Sequence, residues 1–172
     1  YEEAITWYDK VLEVEPKDAR VLFNKGVALR NLSRYEEEIK WYDKVLEVEP
    51  KDVDALNNKG VALAELGKHE EAIKCYDEAL EIEPKIESAL YNKAHTLSEL
   101  GKYEEAITWY DKVLEVEPKD VDAFNNKGAT LSELGKYEEA ITWYDKALEV
   151  EPKDALALFN KGVALAELGK YE

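Results

Sequence analysis

Methionine is absent from this chain, and cysteine, histidine and basic residues are scarce. Cys75 is the only cysteine, so no intrachain disulfide can form, which fits a reducing compartment such as the cytoplasm. The two histidines, His69 and His95, do not pair at helical spacing, and no Cys-x-x-Cys occurs, so metal-ligand patterns are missing. No apolar run approaches the ~18 residues that argue for a membrane span, and no secretory leader is recognisable. Basic residues number 23 against 39 acidic ones, for a net charge of −16. Nucleic acid and anionic membrane surfaces would repel such a chain. Basic partners are favoured, although a solvated acidic surface accounts for the same balance. A 45% hydrophobic content supplies a core, so the charge does not imply disorder. Because methionine is missing and Tyr1 opens in mid-pattern, the chain is expected to be a piece of a longer protein.

What is present is repetition. Tyr1, Tyr35, His69, Tyr103 and Tyr137 each open a unit of 34 residues, and residues 1–18 are identical to 103–120. A fixed period of this length marks a solenoid, in which each unit buries its apolar face on its neighbours. The composition does not shift along the chain, so one array over 1–172 is expected.

The unit reads as two helices. Leu56, Gly60, Leu63 and Leu66 fall at helical spacing, preceded by Asp52 as N-cap, with Asp54 in the first turn. Gly67 suits the left-handed turn beyond. The second helix starts at His69 with Glu70 and Glu71 and carries Ala72, Ile73, Tyr76, Ala79, Leu80 and Ile82; Glu83-Pro84 ends it. The short connections make the helices antiparallel. Gly60 and Ala72 are expected to face each other as small residues that allow close approach, as are Ala94 with Ala106 and Gly128 with Ala140.

Leu22, Gly26 and Leu29 in the first helix, Ala72 and Tyr76 in the second, and the closing Pro84 make the chain resemble the tetratricopeptide repeat (TPR) family. The wording is similar to that of prokaryotic arrays, archaeal ones included. The resemblance implies an all-α fold, a right-handed α-solenoid of antiparallel helix pairs. In the family's phase, whole repeats cover 19–52, 53–86, 87–120 and 121–154, with a lone second helix at 1–18 and a lone first helix at 155–172.

Some columns depart from the family pattern. Lys25, Lys59, Lys93, Lys127 and Lys161 stand where an apolar residue is usual. Their stems are expected to pack while the ammoniums reach solvent; the alternative is a ladder of ion pairs with Asp9, Asp43, Asp77, Asp111 and Asp145. Glu38 replaces the small alanine of its repeat. A buried unpaired carboxylate costs several kcal/mol, so Glu38 is expected to reach a cation or solvent, or the helices to splay, and Glu38→Ala to raise thermal stability. Ser33 replaces the turn glycine and is expected to be strained. Ile86 replaces a capping aspartate, for which Ser88 can substitute.

Candidates for chemistry are weak. His69 replaces a tyrosine and Cys75 a tryptophan, so both read as packing residues. The carboxylates near each proline lack calcium-loop spacing. The single glycines form no phosphate loop, and Asn31-Leu32-Ser33 is an incidental sequon. No catalysis and no cofactor is expected.

A solenoid curves, with its first helices lining the concave face. Asn24, Asn58, Asn92, Asn126 and Asn160 fill one column of that face without exception. Beside it run Phe23, Asn57, Tyr91, Asn125 and Phe159, then a column containing His95, another containing Arg30, and at the helix starts one containing Arg20. Asparagine is a poor helix former, and an amide can pair with a peptide unit in both directions. The ladder either binds an extended ligand by its backbone or bonds to a neighbouring helix. It is similar to the asparagine ladder of the TPR glycosyltransferase that adds N-acetylglucosamine to proteins. The family's other mode, a lysine–asparagine–arginine clamp for a terminal carboxylate, is matched only at asparagine, save for Arg20 and Arg30. The expected function is a protein- or peptide-binding scaffold with a preference for basic or neutral extended segments. Head-to-tail self-association is the competing reading, because the two ends are complementary halves of one repeat. A targeting module of a larger protein is another.

Overall fold

A computed structural model describes residues 1–169 and contains ten α-helices among them: α1 (Glu2–Val14), α2 (Ala19–Arg30), α3 (Tyr35–Val48), α4 (Val53–Glu65), α5 (His69–Ile82), α6 (Glu87–Glu99), α7 (Tyr103–Val116), α8 (Val121–Glu133), α9 (Tyr137–Val150) and α10 (Ala155–Glu167). No strand occurs among the described residues. The chain forms two compact units, Tyr1–Ala89 and a second beginning at Leu90. In the first unit α1 packs on α2, α2 on α3, α3 on α4 and α4 on α5. In the second α7 packs on α8, and α8 on both α9 and α10, which also pack together.

The local chemistry explains the boundaries. Asp52 and Asp120 accept hydrogen bonds from the Ala55 and Ala123 amides at 2.8 and 2.9 Å, and Asp18 and Asp154 cap α2 and α10 in the same way. The second helix of each pair has no side-chain cap. Paired glutamates such as Glu70 and Glu71 lie in its first turn instead, where the helix dipole favours negative charge. Gly67, Gly101 and Gly135 take φ near +72° beyond a first helix, and Ser33 is held in the same region at φ +55°. The strain expected at Ser33 is therefore real, since a side chain disfavours that conformation.

Each unit is built around two wholly enclosed tyrosines. Tyr42 and Tyr76 lie in the first unit and Tyr110 and Tyr144 in the second, each at most 1% exposed. Tyr42, Tyr76 and Tyr144 stand closest to glycines of the first helices. A Cβ added at Gly60 would stand 2.4 Å from Tyr76 Cε1, and one at Gly128 would stand 2.5 Å from Tyr144 Cε1. Ala72 and Ala140 are fully buried, and the nearest atoms to each glycine belong to the flat ring four residues further along the second helix.

In the lysine column the alternative reading, ion pairs with the aspartates, is the one observed, and the favoured exit of the ammoniums to solvent is corrected. The Lys25 and Lys127 ammoniums are buried and paired with Asp9 and Asp111, and Lys59 and Lys161 reach Asp43 and Asp145 at 2.6 and 2.7 Å. The ammoniums also lie over indole rings: Lys25 over Trp41 at 3.8 Å, Lys93 over Trp109 at 3.7 Å and Lys127 over Trp143 at 3.8 Å. Such stacking is worth about 0.5–2 kcal/mol as desolvation increases. Lys44, Lys112 and Lys146 cover the opposite faces of those rings. Where Cys75 replaces the tryptophan, the Lys59 side chain is 25% exposed, against 8% for Lys25. The tryptophans thus shield the paired ammoniums from solvent.

Candidate functional site

The first helices position the asparagine column by helical periodicity, but its members are not equivalent. In the first unit Asn24 is exposed and makes no internal hydrogen bond among the described residues. Asn58 is half-buried, and Arg30 donates to its Oδ1 and to its backbone carbonyl, each at 2.9 Å. In the second unit Asn92 and Asn160 are half-buried. Asn126 donates from Nδ2 to the Tyr91 hydroxyl at 2.7 Å and to the Asp122 carbonyl at 2.8 Å. Asn24 therefore offers a whole amide, Asn58 its Nδ2 donors, and Asn126 its Oδ1 acceptor.

The neighbouring column divides. Phe23 rests on Tyr42 with ring centres 5.4 Å apart. Tyr91 meets Tyr110 edge-on at 6.0 Å and stacks with His95 at 6.5 Å; burial pushes its hydroxyl up to about 12. Phe159 is 69% exposed. Asn57 and Asn125 are buried, contrary to their expected place on the ligand-facing surface. Asn125 donates to Asp154, the cap of α10, and this hydrogen bond is the main reason the Asp154 carboxyl lies below the usual range. Asn125 thus joins one repeat to the next. A wheel of one helix cannot reveal this, because the covering group belongs to the following repeat.

Each unit has a pocket beside a ladder asparagine. In the first, a cavity of about 340 Å3 is bounded by Arg20, Phe23 and Asn24 with Glu49, Asp52 and Asp54. Arg20 is exposed and bonds Asp18 at 3.1 Å. In the second, a cavity of about 390 Å3 lies among His95, Ser98, Tyr110, Asn126 and Thr130, with Glu99 and Glu133. His95 Nδ1 lies 3.7 Å from Glu99 Oε2. Ser98 and Thr130 are hydrogen-bonded at 3.1 Å. Glu49 and Tyr110 were not foreseen, because they come from outside the first helices. Arg30 turns inward, its Nε donating to Glu38 Oε1 at 2.7 Å, which answers the question of where Glu38 finds a cation. Burial holds the Cys75 thiol up at about 11, so it is not a reactive thiolate at neutral pH. Among the described residues no group of three or more His, Cys, Asp or Glu side chains is arranged to hold a metal, and no helix is long and apolar enough to cross a membrane.

Family profiles described as Tetratricopeptide repeat match residues 1–47, 53–86 and 75–108, and one described as TPR repeat matches 94–135 and 130–169. The chain belongs to the tetratricopeptide repeat family. Its all-α fold of helix pairs is that of solved TPR proteins. It is similar to YrrB, described as a TPR protein with an unusual peptide-binding site, at 27% identity and TM-score 0.80, over 94% of this chain and 83% of that one. It also shares its fold with a tetratricopeptide repeat protein from Parabacteroides merdae at 24% identity and TM-score 0.85, over 96% and 66% of the two chains. The MamA fragment of Desulfovibrio magneticus matches at 22% identity and TM-score 0.83, over 90% and 87%. No curated protein sequence matches significantly.

Proposed function

We infer that this chain is a non-catalytic interaction scaffold of a reducing compartment such as the cytoplasm, binding extended protein segments of basic or neutral character on its first-helix surface. The observation that carries the reading is that each unit opens a carboxylate-rimmed pocket beside a ladder asparagine, Asn24 in one and Asn126 in the other. The carboxylates suit a lysine or arginine side chain, and the free Asn24 amide and Asn126 Oδ1 suit the peptide backbone next to it. The likeness to YrrB, described by its peptide-binding site, supports the same reading.

A peptide array probed with the intact chain tests it. Extended basic peptides should be retained over acidic ones. Asn24→Ala and Asn126→Ala should each weaken binding by about 3–10-fold, the worth of one or two hydrogen bonds. Equal retention of acidic peptides, or unchanged binding by folded variants, would count against the proposal.

A second reading is self-association. Trp7 and Val14 on α1 are 59% and 80% exposed, as are Leu158 and Phe159 on α10 at 53% and 69%. The residues of α1 recur, with Ala147 in place of Val11, in α9, which packs on the first helix α8 within the second unit and sets Trp143 against Lys127. A second copy's α1 on α10 would cover both faces in the same manner. Sedimentation velocity should then show mass rising with concentration; a single monomer boundary throughout would end this reading.

A further inference from the structure

The second-unit pocket of about 390 Å3 lies among residues of α6, α7 and α8. Its size falls within the range of about 300–1,000 Å3 common to small-ligand pockets. The first unit holds the matching arrangement two repeats earlier. Ser98, Tyr110, Asn126 and Glu133 correspond there to Arg30, Tyr42, Asn58 and Glu65.

In the first unit an arginine side chain of the chain itself occupies this place. The Arg30 guanidinium lies 6.0 Å from the centre of the Tyr42 ring. It donates to the Asn58 Oδ1 and to the Asn58 backbone carbonyl, each at 2.9 Å. The second unit keeps the tyrosine and the asparagine, but the short Ser98 replaces the arginine. Other positions change as well. His95 replaces Val27 and Thr130 replaces Ala62, while Ala129 replaces Val61 and Ala106 replaces Glu38. The two larger residues do not close the space, since His95 and Thr130 themselves border the pocket.

The polar groups fit the same kind of occupant. Asn126 gives its Nδ2 to the Tyr91 hydroxyl and the Asp122 carbonyl, which leaves Oδ1, the acceptor that Asn58 offers to Arg30. The Asn126 backbone carbonyl accepts the Thr130 hydroxyl at 2.7 Å, so a second guanidinium nitrogen must turn elsewhere. Ala106 removes the carboxylate that Glu38 supplies to Arg30, but Glu99 and Glu133 border the pocket. His95 stands 3.7 Å from Glu99, whereas Glu133 makes no ion pair among the described residues. Glu133 also holds the position of Glu65, whose charge reaches the Arg30 partner Glu38 in the first unit. We propose that the pocket beside Ser98 takes an arginine side chain of a bound protein segment, its guanidinium donating to Asn126 Oδ1 and pairing with Glu133. This rests on the chain being an interaction scaffold, and it narrows the basic ligand to arginine at this pocket. The planar guanidinium fork reaches two acceptors at once, which the ammonium of lysine does not match. The other lone pair of Oδ1 remains for the backbone of the same segment.

The probe is acetyl-arginine amide, titrated into the intact chain while the Asn126 side-chain amide is followed by NMR and assigned from an Asn126→Ala sample. Saturable movement of Asn126 and Thr130 signals is expected, with a Kd of about 1–10 mM, reasonable for so small a ligand. Asn58, whose Oδ1 already holds Arg30, should stay still. Acetyl-lysine amide should bind at least about 3-fold more weakly, and the uncharged acetyl-citrulline amide at least about 10-fold. Ser98→Arg, which reproduces the arrangement at Arg30, should lose binding by at least about 10-fold. Glu99→Gln combined with Glu133→Gln changes only exposed side chains and should weaken binding by at least about 5-fold, a test that does not depend on Ser98→Arg folding. The proposal is overturned if Asn126 does not move, if the lysine or citrulline probe binds as tightly as arginine, or if either folded variant binds as the native chain does. Basic peptides that still bind and are weakened by Asn24→Ala, with Asn126 unmoved by the arginine probe, would sink the arginine pocket and leave the scaffold. A chain that retains no peptide at all removes both.

Discussion

Arg30→Ala is expected to destabilise the Tyr1–Ala89 unit by about 3–5 kcal/mol at neutral pH, the usual cost of leaving one member of a buried pair alone. Arg30 donates to Glu38 Oε1 from Nε at 2.7 Å, with a second nitrogen at 2.6 Å, and also to Asn58. Glu38 is fully buried, and its other carboxylate oxygen has no hydrogen-bond partner. The reverse change is not equivalent. After Glu38→Ala, Arg30 keeps Asn58 and its 31% solvent exposure, and alanine is what Ala72, Ala106 and Ala140 place in that position with full burial. Glu38→Ala should therefore be neutral or stabilising, and the Arg30→Ala/Glu38→Ala double variant should recover most of the loss. Urea unfolding of all four species gives the cycle. The account fails if Arg30→Ala costs less than about 1 kcal/mol, a surface-pair value, or if the double variant is as unstable as Arg30→Ala.

The same pair fixes a pH dependence. Burial is the main cause that raises the Glu38 carboxyl above its ordinary 4.5, Arg30 opposes it, and the charge of Glu65 adds to it. A carboxyl with a raised folded-state value binds its proton more tightly in the folded protein. Its contribution to stability is therefore largest below the ordinary carboxylate range and is lost as pH rises through the raised value. Without Arg30 the opposing effect disappears. The gap in melting temperature between Arg30→Ala and the double variant should narrow as pH falls from about 7 towards 5, nearer the carboxylate range. A gap that does not change with pH would remove Glu38 ionisation as its cause.

The repeat period made the helix pairs legible, because proline, glycine and aspartate mark each boundary by local chemistry. Asp52 caps α4 and Gly67 takes the left-handed turn, both as read from the sequence. The parts that were not legible depend on groups brought together across helices. The constant offset of sixteen residues between Lys25 and Asp9, repeated at Lys59 and Asp43, was visible in the sequence. The shielding that favours pairing was not, because Trp41 reaches Lys25 from the following helix. On the candidate surface Phe23 borders the same pocket as Asn24, and His95 the same pocket as Asn126. The helical wheel put Asn125 among the ligand-facing residues, although the Asp154 cap of the next repeat claims it. Which asparagines have free amide groups depends on partners such as Arg30 and Tyr91, whose direction is set by packing and not by period.

Gly60→Ala should cost about 1–3 kcal/mol, as overpacking of an enclosed site does, although alanine is the better helix former by nearly 1 kcal/mol. The added methyl would lie 2.4 Å from Tyr76 Cε1, with two further ring atoms at 2.9 Å. Tyr76 is 1% exposed and has little room to retreat. Gly128→Ala should behave alike against Tyr144. Gly162 occupies the same column, yet a Cβ there would meet nothing within 4 Å. Gly162→Ala should therefore show only the propensity gain, stabilising α10 by up to about 1 kcal/mol. The three variants share one substitution on one kind of helix, so the sign of the effect isolates the tyrosine contact from the loss of glycine itself. Chemical unfolding of each decides the matter. If Gly60→Ala and Gly162→Ala both stabilise, the close approach of glycine to tyrosine is not what keeps this column small. Ala94 bounds the effect, since it stands in the same column of its repeat with Tyr110 still buried. The pair can thus be built around a methyl group, and the predicted cost at Gly60 is that of forcing one into a pair not built for it.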